Sequence, residues 1–151
     1  MRHLVRRFFG HLFASPLNPS EQEQVAEVLH PELLVLFYAQ ATQDQRHALD
    51  VTGRLGSAHH LSEAALLHDV GKSRSNLGVI QRSLVTVWTF SGLPLWGSWL
   101  DYVEHGRIGA VALSEAGANR TTVLFARHHP GPVPEGVPET DWHILANADD
   151  I

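Results

Sequence analysis

Apolar residues recur at three- and four-residue spacing along most of the chain, and the alternation that marks β-strands is nearly absent. This pattern predicts an all-α fold of about seven helices. Ser20 with Glu23 forms a capping box that opens the first helix, and Pro31 starts the second. The other five are expected at residues 43–55, 63–70 and 101–116, from residue 119 to before Pro130, and from 140 onward.

Polar caps and glycines mark the expected ends of these helices. Side chains able to accept hydrogen bonds from a first helical turn stand at four predicted starts, namely Thr42, Ser62, Asn119 and Thr140. Glycines, which tolerate the left-handed conformation that ends many helices, stand at three predicted ends, namely Gly56, Gly71 and Gly117. Residues 130–138 are rich in proline and glycine and are expected to form a loop between two helices.

Residues 84–100 are the most apolar stretch of the chain, but threonine, serine, glycine and proline interrupt them. A membrane-spanning helix needs about 20 consecutive apolar residues, so none is expected. The aromatic side chains of this stretch predict either a buried helix pair, or a lid or surface patch that walls a pocket or stacks a base. The arginine-containing start lacks the long apolar run of a signal peptide. We therefore expect a cytoplasmic protein.

Composition excludes several classes of function. The chain has 151 residues, of which 44% are hydrophobic and 18% charged, and this suits a single globular domain. It contains no cysteine, which excludes disulfides, thiolate metal sites and cysteine nucleophiles. The formal net charge of −5 gives no support to general nucleic-acid binding. The unusual feature is the presence of 11 histidines, as many as lysine and arginine together.

Several of these histidines fall on the apolar faces or at the ends of predicted helices, together with aspartates. His47 lies four residues before Val51 on one face, and His68 with Asp69 ends a strongly apolar helix. The set with this placement is His47, His68, Asp69, His105, His128, His129 and Asp149. A buried carboxylate such as Asp69 is costly unless a cation pairs with it. Imidazole and carboxylate donors without sulfur suit Mn, Fe, Co, Ni, Zn or Mg.

The order of these motifs resembles the HD superfamily of metal-dependent phosphohydrolases. The segment Leu-Leu-His-Asp-Val-Gly-Lys, which contains His68 and Asp69, is similar to the signature of HDIG-type members. The resemblance covers residues 43–151, so it implies a single HD-type domain over 1–151 with residues 1–42 as an N-terminal helical extension. It also implies an HD-domain-like helical bundle.

The resemblance implies a primary metal site of His47, His68, Asp69 and Asp149. In members with two metals, a His-x-x-x-Gly-Ala segment and a His-His pair supply further ligands. In this chain His105 matches the first of these motifs, and His128 and His129 match the second. The chain would then bind one or two divalent ions, with Asp69 as the bridging carboxylate. Lys72 would lie beside the reacting water or a substrate phosphate, so Asp69 and Lys72 are the expected catalytic residues.

The implied activity is hydrolysis of a phosphate ester of a nucleotide or related small molecule by metal-activated water. Arg46 and Arg127 adjoin proposed ligands and are candidates to bind a substrate phosphate. A cyclic-dinucleotide phosphodiesterase is one alternative, although the Gly-Tyr-Pro segment of members that cleave cyclic di-GMP does not follow His129. A non-catalytic metal-binding or ligand-sensing domain is another. The oligomeric state is left open.

Overall fold

The computed structural model describes residues 14–75 and 105–150, and this part of the chain is helical without a strand. Its seven α-helices are α1 (Pro19–Val28), α2 (Pro31–Tyr38), α3 (Thr42–Gly53), α4 (Ser62–Leu67), α5 (His105–Glu115), α6 (Arg120–His128) and α7 (Glu139–Asp149). Two 3-10 helices, His59–Leu61 and Val70–Ser75, flank α4. The prediction of an all-α protein with about seven helices is confirmed. The aromatic stretch at 84–100 and the first residues predicted for the fifth helix, 101–104, lie outside the described residues.

The first helix begins two residues before its predicted start. Asn18, not Ser20, is the N-cap, and its side chain accepts a hydrogen bond from the Glu21 backbone N–H at 3.0 Å. The Glu21 carboxylate in turn accepts from the Asn18 N–H at 2.7 Å, which completes a capping box. Pro19 takes the first helical position, where its missing N–H costs nothing. The predicted box of Ser20 and Glu23 is therefore wrong.

Three other predicted caps are also wrong, and one is confirmed. The N-cap residues of α3, α4 and α7 are Ala41, Leu61 and Pro138, so Thr42, Ser62 and Thr140 each stand inside the helix. In α4 the reason is that the 3-10 helix His59–Leu61 runs directly into it. Asn119 caps α6 as predicted, since its side chain accepts from the Thr122 N–H at 2.9 Å.

Gly71 does not close α4, contrary to the prediction. That helix already ends at Leu67, and Gly71 lies in the 3-10 helix Val70–Ser75. The reason for a glycine is a close approach of two backbones: a Cβ at this position would lie 1.8 Å from the carbonyl oxygen of His105. The predicted stop of α5 is confirmed, because Gly117 has a φ of +83° just beyond Glu115.

The buried apolar side chains form two clusters that share three helices. The first cluster consists of Leu17, Val25, Leu29, Leu33, Phe37, Ala48, Leu66, Leu67, Val70, Leu113 and Ala126. The second consists of Val51, Leu55, Ala58, Leu61, Ala64, Ala65, Phe125, Val137, Trp142, Leu145 and Ala148. Helices α3, α4 and α6 contribute to both, whereas α1 and α2 contribute only to the first. The described helices before residue 42 thus share a core with the helices that follow.

Helix α4 is the buried centre of this arrangement. Its residues Ala64, Ala65, Leu66 and Leu67 are almost completely inaccessible to solvent. Helices α3 and α6 pack against it, and α7 packs against α3. The carboxyl end of α4 therefore faces α3 and the ends of α6 and α7. None of the described helices is both long and apolar enough to cross a membrane.

Candidate metal centre

The centre is built around His68, the C-cap residue that directly follows α4. The Nδ1–H of His68 donates to the Ala65 carbonyl oxygen at 2.9 Å, within the last turn of the helix. This bond fixes the orientation of the ring and turns Nε2 toward Asp69 and Asp149. The Nε2 atom is buried and has no hydrogen-bond partner among the described residues. A buried polar atom in this state is rare, and an unfilled ligand position is one explanation for it.

Asp149, at the end of α7, brings three histidines together. Its Oδ1 lies 2.6 Å from His47 Nε2 and 3.4 Å from His68 Nε2. Its Oδ2 lies 2.7 Å from His129 Nε2. The carboxylate thus joins the middle of α3, the end of α4 and the end of α6 although it is separated from His47 by 102 residues.

Asp69 forms the other side of the centre. Its Oδ2 lies 3.4 Å from His68 Nε2, and the Lys72 ammonium also contacts Oδ2. Its Oδ1 lies 3.7 Å from His105 Nε2 at the start of the described part of α5. Lys72 can reach Asp69 because the backbone between them turns tightly, with the Lys72 N–H donating to the Asp69 carbonyl oxygen at 2.9 Å.

Small residues place His105 beside Asp69. A Cβ at Gly106 would lie 2.7 Å from the Ala126 carbonyl oxygen, so only glycine allows α5 to approach α6 this closely. The helix α5 also contacts Gly71, whose missing side chain leaves room for the His105 backbone. The Gly-Arg-Ile-Gly-Ala sequence after His105 therefore has a packing role that is independent of any metal.

The charges of the centre raise the pKa of His68 and lower the pKa values of Asp69 and Asp149. Burial on its own would lower the pKa of His68, but the negative charges of Asp69 and Asp149 raise it to about 10. Burial would raise the pKa of Asp69, yet His68 and Lys72 hold that pKa well below its usual range. The pKa of Asp149 is likewise lowered against the effect of burial, by hydrogen bonds from His129 and His47 and by the nearby charge of His68. The two carboxylates thus stay charged and favour a cation between them.

These residues suit a divalent cation. One ligand atom each from His47, His68 and Asp69 can be chosen so that all lie within 4.8 Å of one another. Two donors that are each about 2.1 Å from a shared ion lie at most about 4.2 Å apart. Small movements of the side chains would therefore bring the three ligand atoms within reach of one ion. The unpartnered Nε2 of His68 points into this group, and Oδ1 of Asp149 adds a second carboxylate. Nitrogen and oxygen donors of this kind hold Mn, Fe, Co, Ni or Zn.

Three of the expected site residues are not brought into this group. The side chains of Arg127 and His128 are exposed. Across residues 14–75 and 105–150, no hydrogen bond, ion pair or ring contact involves either side chain. Arg46 faces the other way and donates to the carbonyl oxygens of Ser15 at 2.7 Å and Pro16 at 2.6 Å, and to the carboxylate of Glu21. Through these contacts Arg46 fixes the segment before α1, and its role in binding a substrate phosphate stays a prediction.

Sequence reasoning missed two contributors to the centre. Arg54 follows α3 and donates to the carbonyl oxygen of Ala148 at 3.0 Å, which satisfies the last turn of α7 beside Asp149. The ring of His129 stacks on Phe125, with centroids 4.6 Å apart, and Trp142 contacts Phe125 edge-on. The four-residue spacing of Phe125 and His129 is a local signal for their contact, whereas the partner of Arg54 is 94 residues away and leaves none.

Comparison with known proteins gives no relatives for this chain. No protein-family model matches it, and neither a curated protein nor a solved structure does. Membership of the HD superfamily therefore remains a prediction from the motifs around His47, His68, Asp69 and Asp149.

Proposed function

We propose that this protein is a metal-dependent phosphohydrolase that cleaves the phosphate ester of a nucleotide or a related small molecule. The observation that carries the proposal is the buried Nε2 of His68, which makes no hydrogen bond among the described residues and lies 3.4 Å from a carboxylate oxygen of both Asp69 and Asp149. A proton or a metal ion is needed there to satisfy two buried negative charges. The hydrogen bond from the His68 Nδ1–H to the Ala65 carbonyl oxygen is one that metal-ligating histidines commonly make with the nitrogen that does not bind the metal.

Four side chains would hold the ion: His47, His68, Asp69 and Asp149. A bound divalent ion supplies Lewis acidity, which activates water as a nucleophile and neutralises charge on the phosphoryl oxygens. The chain itself supplies the fixed orientation of the donors, because each is anchored on a packed helix or at its end.

Exposure of the side chains indicates from which direction a substrate would enter. The side chains of His68 and Asp69 are 3% and 7% exposed, whereas those of Lys72 and His105 are 22% and 27% exposed. The centre is therefore closed on the side of α4 and more open on the side of Lys72 and α5. Lys72 would present a compact positive charge to a phosphate that approaches Asp69 from this side.

The decisive experiment is an assay of the purified protein with a panel of nucleotides, phosphomonoesters and cyclic dinucleotides, in the presence of Mn, Fe, Co, Ni, Zn or Mg. We expect metal-dependent release of phosphate or nucleotide from at least one member of the panel. Asp69→Asn should abolish this activity, because it removes the charge that faces both His68 and Lys72. Asp50→Asn is the matched control, since Asp50 is an exposed carboxylate on α3. Inactivity of the wild-type protein with every metal and substrate would refute the proposal.

A second candidate function is a structural or sensing metal site, and one observation favours it. The donors come from α3, the two residues that follow α4, and the end of α7, so a single ion would connect elements that are far apart in sequence. An ion of this type would raise the melting temperature substantially without supporting turnover. Chelation distinguishes the two functions: a catalytic ion can be removed with loss of activity and retention of the fold, whereas a structural ion cannot.

A further inference from the structure

The two oxygens of Asp149 face different partners. Oδ1 lies against His47 at 2.6 Å and His68 at 3.4 Å, which are two of the three residues in the candidate metal group. Oδ2 lies against His129 Nε2 at 2.7 Å. A cation between His47, His68 and Asp69 would be approached by Oδ1, while the oxygen that faces His129 points to the other side of the carboxylate.

The ring of His129 is held firmly in this position. It is stacked on Phe125 with an angle of 26° between the planes, and its side chain is only 12% exposed. The backbone N–H of His129 also donates to the Phe125 carbonyl oxygen at 2.9 Å, which fixes the residue at the end of α6. Its Nδ1 is buried without a hydrogen-bond partner among the described residues. A lone pair is less costly than an N–H in such a place, so the proton belongs on Nε2, where it donates to Asp149.

We propose that His129 is a positioning residue that orients Asp149 toward the metal, and that it is not itself a ligand. This inference rests on the metal centre of the proposed function, and it replaces the expectation from the His-His motif that His129 binds the ion directly. The ring donates through Nε2 to Oδ2 and thereby turns Oδ1 toward His47 and His68. Outer hydrogen bonds of this kind typically contribute about 10- to 100-fold to the affinity of a metal site.

Titration with Co²⁺ tests this role without any assay of activity, because the visible spectrum of bound Co²⁺ reports its ligands. His129→Phe keeps an aromatic ring against Phe125 but has no donor. We expect it to bind Co²⁺ about 10- to 100-fold more weakly, with an unchanged spectrum at saturation. His129→Gln restores an N–H at a position similar to Nε2 and should recover most of the affinity. His143→Gln, at an exposed histidine of α7, is the control and should bind as the wild type does.

The outcomes separate this inference from the proposed function. A changed Co²⁺ spectrum in His129→Phe or His129→Gln would show that a ligand has been lost and would overturn the positioning role alone. Affinity of His129→Phe within about threefold of the wild type would also overturn it, because the expected loss is at least about tenfold. Should His129→Phe not fold, the spectrum and affinity of His129→Gln decide the question. A wild-type protein that takes up no Co²⁺ would overturn both this inference and the metal centre.

Discussion

Gly71→Ala should destabilise this protein more than any ordinary surface substitution. The added Cβ would lie 1.8 Å from the His105 carbonyl oxygen, 2.7 Å from the carbonyl carbon of the same residue and 2.8 Å from the Gly109 nitrogen. Real Cβ contacts are essentially never shorter than 3.0 Å, so the two backbones must separate by about 1.2 Å. Because all three atoms belong to the backbone of α5, no side chain can rotate away. The helix as a whole has to move.

The loss of stability in Gly71→Ala can be estimated from the cost of overpacking in the cores of other proteins. Extra methyl groups in a packed core cost about 1–3 kcal/mol when side chains can adjust. With a helix backbone as the obstacle, we expect the upper end, about 3 kcal/mol of unfolding free energy. For a protein whose total stability is about 5–15 kcal/mol, this is a large fraction. The displacement would also carry His105 away from Asp69, whose Oδ1 it approaches at 3.7 Å.

Urea unfolding followed by circular dichroism measures this loss. With a slope of about 2 kcal/mol per molar urea, a loss of 3 kcal/mol lowers the midpoint by about 1.5 M. Gly53→Ala is the matched control, because Gly53 is the last residue of α3 and a Cβ there would meet nothing within 4 Å. Alanine should stabilise that position by up to about 1 kcal/mol. A Gly71→Ala protein within about 1 kcal/mol of wild type would refute the contact between Val70–Ser75 and α5, given the stated cost of overpacking.

Three further substitutions test the fold around the site. Asn119→Ala removes the cap of α6 and should lower the free energy of unfolding in urea by about 1 kcal/mol. Asn119→Ser keeps a capping oxygen and should retain most of the stability of the wild type. Arg54→Ala removes the donor to the Ala148 carbonyl and should cost about 1 kcal/mol and speed amide exchange in the last turn of α7; unchanged exchange would contradict the contact. The pKa of Glu21 is lowered by its hydrogen bond from Arg46, so its stabilising effect is present above about pH 4.5 and is lost as pH falls through that lowered pKa. Glu21→Gln should therefore flatten the fall in stability between about pH 5 and pH 3, and an unaltered pH profile would argue against the pairing.

Local patterns were sufficient to predict the helices but not their ends. The three- and four-residue spacing of apolar side chains gave an all-α protein, because burial of one helical face depends only on sequence periodicity. The start of a helix depends on which of several polar side chains accepts hydrogen bonds from the N–H groups of the first turn. At α1 both Asn18 and Ser20 could do so, and Pro19 decided in favour of Asn18. At α7 a proline stands at the N-cap position without a side-chain bond.

The candidate metal centre could be predicted in its members but not in its arrangement. Residue types and motif order selected His47, His68, Asp69 and Asp149, and the described structure brings these four into contact or near contact. The His-His pair looked equivalent in sequence, yet a C-cap turn at the end of α6 leaves the first histidine exposed and turns His129 inward onto Phe125. Two neighbouring residues at the end of a helix diverge, and only the packing of that end decides which one is buried.

The helical class, the exclusion of sulfur chemistry and the chemical nature of the donors follow from residue type and periodicity alone. The packed fold was needed to learn which oxygen of Asp149 faces which histidine, that Arg46 is engaged with Glu21, and why residue 71 is a glycine. The difference comes from the range of the interactions. Periodicity and capping act over a few residues, whereas the contacts of the centre join side chains up to 102 residues apart, whose approach depends on how the whole core packs.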